Sequence, residues 1–223
     1  MDREPARIKL AAASSAREPA SPRSGALVRM RTSTAVTRSA NSHDTRAIRD
    51  ADPARDAQAC AAIYAPFVLD SPVSFEEQAP DAAAFAGRIE KVAATYPWLV
   101  AERDGDVVGF AYGAPHRERA AYRWAADVSV YIDGAARRQG VGRALYEALF
   151  ARLRAQRLRV ACAGITLPNA ASVALHESLG FEPVGVYRDI GWKAGGWRDV
   201  GWWRLALLPP VADPPEPLPP QRG

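Results

Sequence analysis

Arg137 and Arg138 lead a short turn in which Gly140 and Gly142 stand at alternate positions, Arg143 follows, and a helical apolar pattern begins at once. A helix N-terminus presents unpaired N–H groups and about half a positive charge, a ready site for phosphate. Glycine lets the backbone approach such a group without a Cβ in the way, and arginine adds forked cationic donors. Several readings compete. A P-loop needs Lys and then Ser or Thr after its second glycine, and here Arg143 and Ala144 follow. A Rossmann dinucleotide turn needs a third glycine near Leu145 and an acid roughly 20 residues further on, where "RVACAGIT" carries none. What remains is a pyrophosphate cradle of the form R-x-x-G-x-G, with Gln139 and Val141 between its fixed positions, or a plain glycine-rich turn with solvated arginines.

A cradle needs a strand before it and a helix after it, and the sequence supplies both. "ADVSVYI" reads as a strand, and Val141, Ala144, Leu145, Ala148, Leu149 and Leu153 recur at helical spacing. Upstream, a short strand at Ala47–Ile48 precedes a helix capped by Asp52 with Pro53 at its first position. Ala59, Ala62, Ile63 and Pro66–Phe67 mark the buried side of that helix. "SPVSFE" is a loop or short edge strand, and Asp81–Thr95 a second helix. "WLVAERDGDVVGFAYGAP" is a hairpin about Asp104-Gly105. "RVACAGIT" is a strand, "NAASVALHESLGF" a helix from Asn169 to Gly180, and "EPVGVYRD" and "WRDVGWWRLAL" close the domain as strands. The fold class is α+β.

The whole chain narrows the possibilities. Its 223 residues suffice for one well-buried domain with residues to spare. A net charge of +4 suits anionic small ligands and falls short of a nucleic-acid binder's basic density. No apolar run approaches the roughly 20 residues of a membrane span. Cys60 and Cys162 belong to no CxxC or Cys/His cluster, which reads as free buried thiols of a cytoplasmic protein with neither disulfide nor metal. Residues 1–45 are rich in Ala, Arg and Ser without apolar periodicity and are expected to be disordered; a start at Met30 is an alternative account of them. The folded unit is expected at 46–207, and the proline-dense "LPPVADPPEPLPPQRG" at 208–223 as an extended, unpacked tail.

R-x-x-G-x-G after a strand, then strand, "LPN", helix and "LGF", resembles the GCN5-related N-acetyltransferase (GNAT) superfamily. More narrowly, "YPWLVAERDGDVVGFAY", "RAAYRWAADVSVYI", "LPNAASVALHESLGF" and "GWKAGGWRDVGWW" are similar to the phosphinothricin acetyltransferase family. The resemblance covers about Ile48 to Leu207, four separated blocks in the family's order. It implies a mixed, mostly antiparallel sheet flanked by helices, with splayed central strands holding acetyl-CoA. It implies as substrate a small amino acid such as phosphinothricin, methionine sulfoximine or methionine sulfone, and a homodimer.

The same resemblance assigns residues. The backbone of Val130, Tyr131 and Ile132 would pair with the pantetheine arm, Arg137–Gly142 would cradle the pyrophosphate, and Asn169 would add a contact besides capping its helix. Asp127 stands where the family has a glutamate base, one methylene shorter. His176 takes the place of the tyrosine that many superfamily members use as proton donor. Arg119 and Tyr122 match positions that engage the acidic end of the substrate, and Phe75, Trp192, Trp197, Trp202 and Trp203 are candidates to wall the pocket. Ala194 and Arg198 replace positions that are often histidine. His116 is read as a loop residue without a partner. The rivals are acetylation of another amine or a peptide, and a non-catalytic acyl-CoA-binding module.

Overall fold

The computed structural model describes residues 47–221; the N-terminal extension and Met30 lie outside the described residues. Strand β1 (Ala47–Asp50) leads into helix α1 (Pro53–Leu69), where the Asp52 carboxylate accepts from the amides of Ala54 and Arg55. Ala57, Cys60, Ala61, Ile63, Tyr64 and Val68 form its buried side, while Ala62 and Pro66 are exposed. The expected phase therefore holds for Ile63, is half met at Ala59 and Phe67, and fails at Ala62 and Pro66, because alanines on every face of a helix carry little phase information. Helix α2 (Ala82–Ala93) is capped by Asp81 through the Ala84 amide. Strands β2 (Trp98–Arg103) and β3 (Asp106–Pro115) are joined by Asp104 and Gly105 at φ 53° and 90°, the positive dihedrals a two-residue hairpin demands.

Strand β4 (Ala125–Ile132), helix α3 (Val141–Ala155), strand β5 (Val160–Leu167) and helix α4 (Ala170–Ser178) follow. Strands β6 (Glu182–Lys193) and β7 (Gly196–Ala206) end the sheet. The strands form one sheet in the order β1-β2-β3-β4-β5-β7-β6, antiparallel except for the β4–β5 pair. Alternation along the strands divides the core, since successive side chains take opposite faces. Trp98, Val100 and Phe110 pack with α1 and α2, whereas Leu99, Ala101 and Ala111 pack with α3.

The β4–β5 pairing is short. It runs through Ala125↔Val160, Ala126↔Ala161 and Asp127↔Cys162 and stops. β3 stays paired with β4 as far as Gly109↔Ile132, and β5 stays paired with β7 to Leu167↔Asp199. Each strand thus keeps its outer neighbour and loses its inner one, and Val128–Ile132 present an unpaired backbone edge to the gap.

The tail behaves differently from the expected unpacked segment. Its described residues hold neither helix nor strand, yet they lie against the domain. Both Glu216 carboxylate oxygens accept from Arg123 at 2.7 Å, and the Trp124 indole donates to Pro215 O at 2.9 Å. Gln156, 3% exposed, donates its amide to Thr95 O and Leu218 O, and its backbone carbonyl accepts from the Leu218 amide. Proline density kept these residues from regular structure but left their carbonyls free to accept. Ending the chain after Pro210 is expected to cost about 1–2 kcal/mol for the two Gln156–Leu218 bonds, lowering Tm by about 2–8 °C. Thermal unfolding of the shortened and full chains checks this; an unchanged Tm would mean that the contacts carry no stability.

Candidate active site

Asp127 occupies the last β4–β5 pair before the strands part, with Cys162 as its partner. Across β3, Pro115 pairs with Ala126, so His116, just past the strand end, is a diagonal cross-strand neighbour of Asp127 on the same face. Asp127 Oδ1 lies 2.6 Å from His116 Nδ1. The His116 ring meets Tyr122 edge-on at 5.8 Å and Trp202 of β7 at 5.9 Å, and the Arg117 guanidinium lies 5.7 Å from the Trp202 ring. The polar atoms of His116, Asp127 and Cys162 all lie within 4.8 Å of one another.

The loop histidine thus has a partner after all, and it is the carboxylate expected to be the base. Burial pushes the Asp127 carboxyl upward, against the opposing pull of His116 and Arg117. Burial likewise pushes the Cys162 thiol up to about 11. That thiol stays protonated at neutral pH and is a poor nucleophile.

Along the gap, Val130 and Ile132 pack toward the α3 side of the core. The Tyr131 ring turns the other way, edge-on to Tyr64 at 4.8 Å and Phe67 at 5.1 Å of α1. Side chains on both faces hold the strand and leave its backbone edge for a ligand. Beyond it a 3-10 turn at Gly134–Ala136 leads to α3. Gly140 caps α3 at φ 79° with no side chain over the first amides, a dihedral that suits glycine. A Cβ on Gly142 would stand 3.2 Å from Leu175 of α4, so this glycine also serves helix packing.

The other cradle residues divide. Arg137 lies over the Phe67 ring at 5.3 Å, and Arg138 is exposed at φ 59°. The Gln139 side chain holds the turn together, donating to Ala135 O and accepting from Arg103. Arg143 turns away from the cradle and donates to Ser178 O and Oγ. An unpaired strand edge running to an uncapped helix start fits an extended arm ending in a pyrophosphate, as acetyl-CoA has.

Asn169 caps α4, its Oδ1 accepting from the Ser172 amide at 3.1 Å. His176, expected as a proton donor, has a different place. It is 3% exposed, its Nε2 meets Tyr146 OH at 3.0 Å, its Nδ1 meets Ser172 O at 2.7 Å, and its ring packs on Tyr146 and Phe181. With both nitrogens engaged inside the α3–α4 packing, it is a buried structural residue and shares no contact with Asp127.

Tyr122 ends a 3-10 turn that Arg119 opens, and Arg119 stands exposed. Phe75 lies over β6, so close that a Cβ on Gly191 would fall 2.2 Å from its ring. Its loop is further tied by Lys193 Nζ donating to Glu76 O and by Thr166 donating to Val73 O. Of the tryptophans, Trp202 reaches the site and Trp203 is core. Trp192 and Trp197 stand exposed, edge-on to each other. Arg198 donates to the carbonyls of Lys193 and Ala194 and braces the β6–β7 turn.

Burial holds the His176 imidazole below its ordinary value of 6.5. The unfolded chain therefore takes up this proton first as pH falls, and the stability that neutral His176 contributes is present above about 6.5 and lost below it. His176→Gln is expected to cost about 1–3 kcal/mol at pH 7.5 and a smaller amount at pH 5.5. Urea unfolding of parent and variant at both pH values measures this; an equal cost at both would show no such linkage.

Comparison with known proteins agrees with this geometry. The model of the Acetyltransferase (GNAT) domain matches residues 48–202. The chain is 38% identical over 167 residues to a phosphinothricin N-acetyltransferase of Streptomyces viridochromogenes, covering 75% of this chain and 90% of that one. It is 39% identical over 120 residues to an L-methionine sulfoximine/L-methionine sulfone acetyltransferase of Pseudomonas paraeruginosa, covering 53% and 70%. Among solved structures, a GNAT superfamily phosphinothricin acetyltransferase from Sinorhizobium meliloti in complex with AcCoA is 35% identical, with a TM-score of 0.69 over 73% of this chain and 88% of that one.

Proposed function

The chain belongs to the GNAT acetyltransferases, enzymes that transfer an acetyl group from acetyl-CoA, and from that premise we propose that it acetylates the α-amino group of a small amino acid of the phosphinothricin, methionine sulfoximine or methionine sulfone kind. The observation that supports the reading is the parting of β4 and β5 directly after Asp127, with a carboxylate at the mouth of the gap. Acetyl-CoA supplies a thioester acetyl group when bound. Val130, Tyr131 and Ile132 hold its arm through their backbone, and Arg137, Arg138 and the amides following Gly140 hold its pyrophosphate. A backbone amide of the Ser129–Tyr131 stretch is the donor available to a developing oxyanion. Asp127 supplies the negative charge that draws the proton from the incoming ammonium, because a primary amine near a pKa of about 10 is protonated at neutral pH. Tyr122, Arg119 and Phe75 orient the acceptor, the first two toward its acidic group.

We place the protein in the cytoplasm, where free thiols such as Cys60 and Cys162 persist; no helix among the described residues is long and apolar enough to cross a membrane. We assign it a homodimer, supported by the exposed Val184, Val186, Tyr187, Ile190 and Trp192 on the edge strand β6. Light scattering should give a dimer mass for the parent and a monomer mass for Tyr187→Glu; a monomeric parent would sink the assignment. Turnover of phosphinothricin would make the chain a determinant of resistance to that herbicide.

Thiol release from acetyl-CoA decides the acceptor, with phosphinothricin, methionine sulfoximine, methionine sulfone, the standard amino acids, a polyamine and a short peptide offered in turn. Release confined to the phosphorus and sulfur analogues is expected; release with another amine keeps the reaction and moves the acceptor. Asp127→Asn is expected to lower kcat by about 100-fold or more with KM for acetyl-CoA within about twofold. An unchanged kcat would remove Asp127 from the chemistry.

A further inference from the structure

We propose that His116 Nε2 is the atom that takes the proton from the acceptor's ammonium group, with Asp127 acting through His116 by orienting the ring and balancing its charge. The inference deepens the acetyltransferase reading and rests on it. Asp127 Oδ1 accepts at 2.6 Å from His116 Nδ1. When the ring is neutral, its one N–H is then on Nδ1, and Nε2 carries a free lone pair. Among the described residues Nε2 has no hydrogen-bond partner, whereas both nitrogens of His176 are occupied. The ring is held by Asp127 at one edge and by T-shaped contacts with the rings of Tyr122 and Trp202. It is also accessible, its side chain 17% exposed beside the 31% exposed carboxylate.

The geometry answers the question raised by the shortened carboxylate. Asp127 lacks the reach of a glutamate and has an oxygen committed to His116, so the imidazole extends the same negative charge toward the acceptor. An imidazole is also the better match for an amine, being a stronger base than an ordinary carboxylate by about 2.6 pKa units. That shortens the uphill part of the transfer. The arrangement is that of a base held by a third group. In the step, the ammonium N–H bond breaks and its electron pair stays on nitrogen as the nucleophilic lone pair. The proton bonds to Nε2, and the resulting imidazolium is paired with the Asp127 carboxylate until solvent takes the proton. The titratable and charged groups around the ring are Asp127 of β4, Cys162 of β5, Tyr122 and Arg117.

Two measurements on the full chain test this. With phosphinothricin and acetyl-CoA, His116→Asn keeps an amide donor toward Asp127 but has no basic nitrogen. It is expected to lose about 100-fold or more in kcat while KM for acetyl-CoA stays within about twofold, and added imidazole should restore part of the rate to His116→Gly but none to Asp127→Gly. A loss below about tenfold in His116→Asn, beside a large loss in Asp127→Asn, would overturn the proposal and make Asp127 the direct base. The second measurement needs no turnover: nitrogen NMR of the His116 ring in the unaltered protein should show the hydrogen on Nδ1 when the ring is neutral, and a change of tautomer balance in Asp127→Asn. A hydrogen resident on Nε2 would overturn the proposal whatever the kinetics. Failure of the unaltered protein to release thiol with any acceptor would sink the acetyl-transfer reading itself, an outcome the ring measurement keeps separate.

Discussion

The structure depends on a sheet that stops pairing in its middle. β4 and β5 are bonded through Asp127 and Cys162 and then go separate ways, each kept in the sheet by its outer neighbour. An unpaired strand edge inside a protein is unfavourable, because buried amides and carbonyls need partners. The fold tolerates it here because β3 holds β4 along its other edge, Tyr131 is wedged among the rings of α1, and Ile132 packs toward α3. The strand is therefore rigid where a ligand must find it. The same parting fixes one carboxylate: Asp127 is the last paired residue before the gap, so the His116–Asp127 pair and the opening of the groove share one point of the backbone.

Two histidines illustrate how environment decides role. His176 sits near the end of α4, buried in the α3–α4 packing and hydrogen-bonded at both nitrogens. Desolvation holds its imidazole below the ordinary value. His116 has the same side chain at the rim of the sheet, with one nitrogen tied to a carboxylate and the other open. Residue type is shared; burial and partner number give the two rings different environments.

That contrast also measures what the sequence disclosed. Caps and turns were legible because their chemistry is local: Asp52 before Pro53, Asn169 ahead of its helix, Asp104-Gly105 at a hairpin. The glycine-led start of α3 was legible because glycine spacing before an apolar helical pattern reports on a helix start. The His116–Asp127 pair was not, since it arises from the antiparallel register of β3 and β4 across an irregular connection, and no spacing rule fixes that register. Counting back from the hairpin could have found it only with the β3–β4 pairing known. The packed tail escaped for a related reason. Prolines announce the absence of helix, but which carbonyls they leave for Trp124 and Gln156 is a tertiary matter.

Phe75 and Gly191 carry a consequence for how this chain can diverge. The ring occupies the space that any side chain at 191 would need, within 2.2 Å of where its first carbon would stand. The two positions are therefore coupled, and the order in which they change matters. A side chain at 191 forces the Phe75 ring to move, and a small residue at 75 loosens the loop that lies over β6. A change at 75 alone passes through that loosened state. Where the aromatic ring keeps its place, 191 stays a glycine, so one packing contact constrains two positions far apart in the sequence.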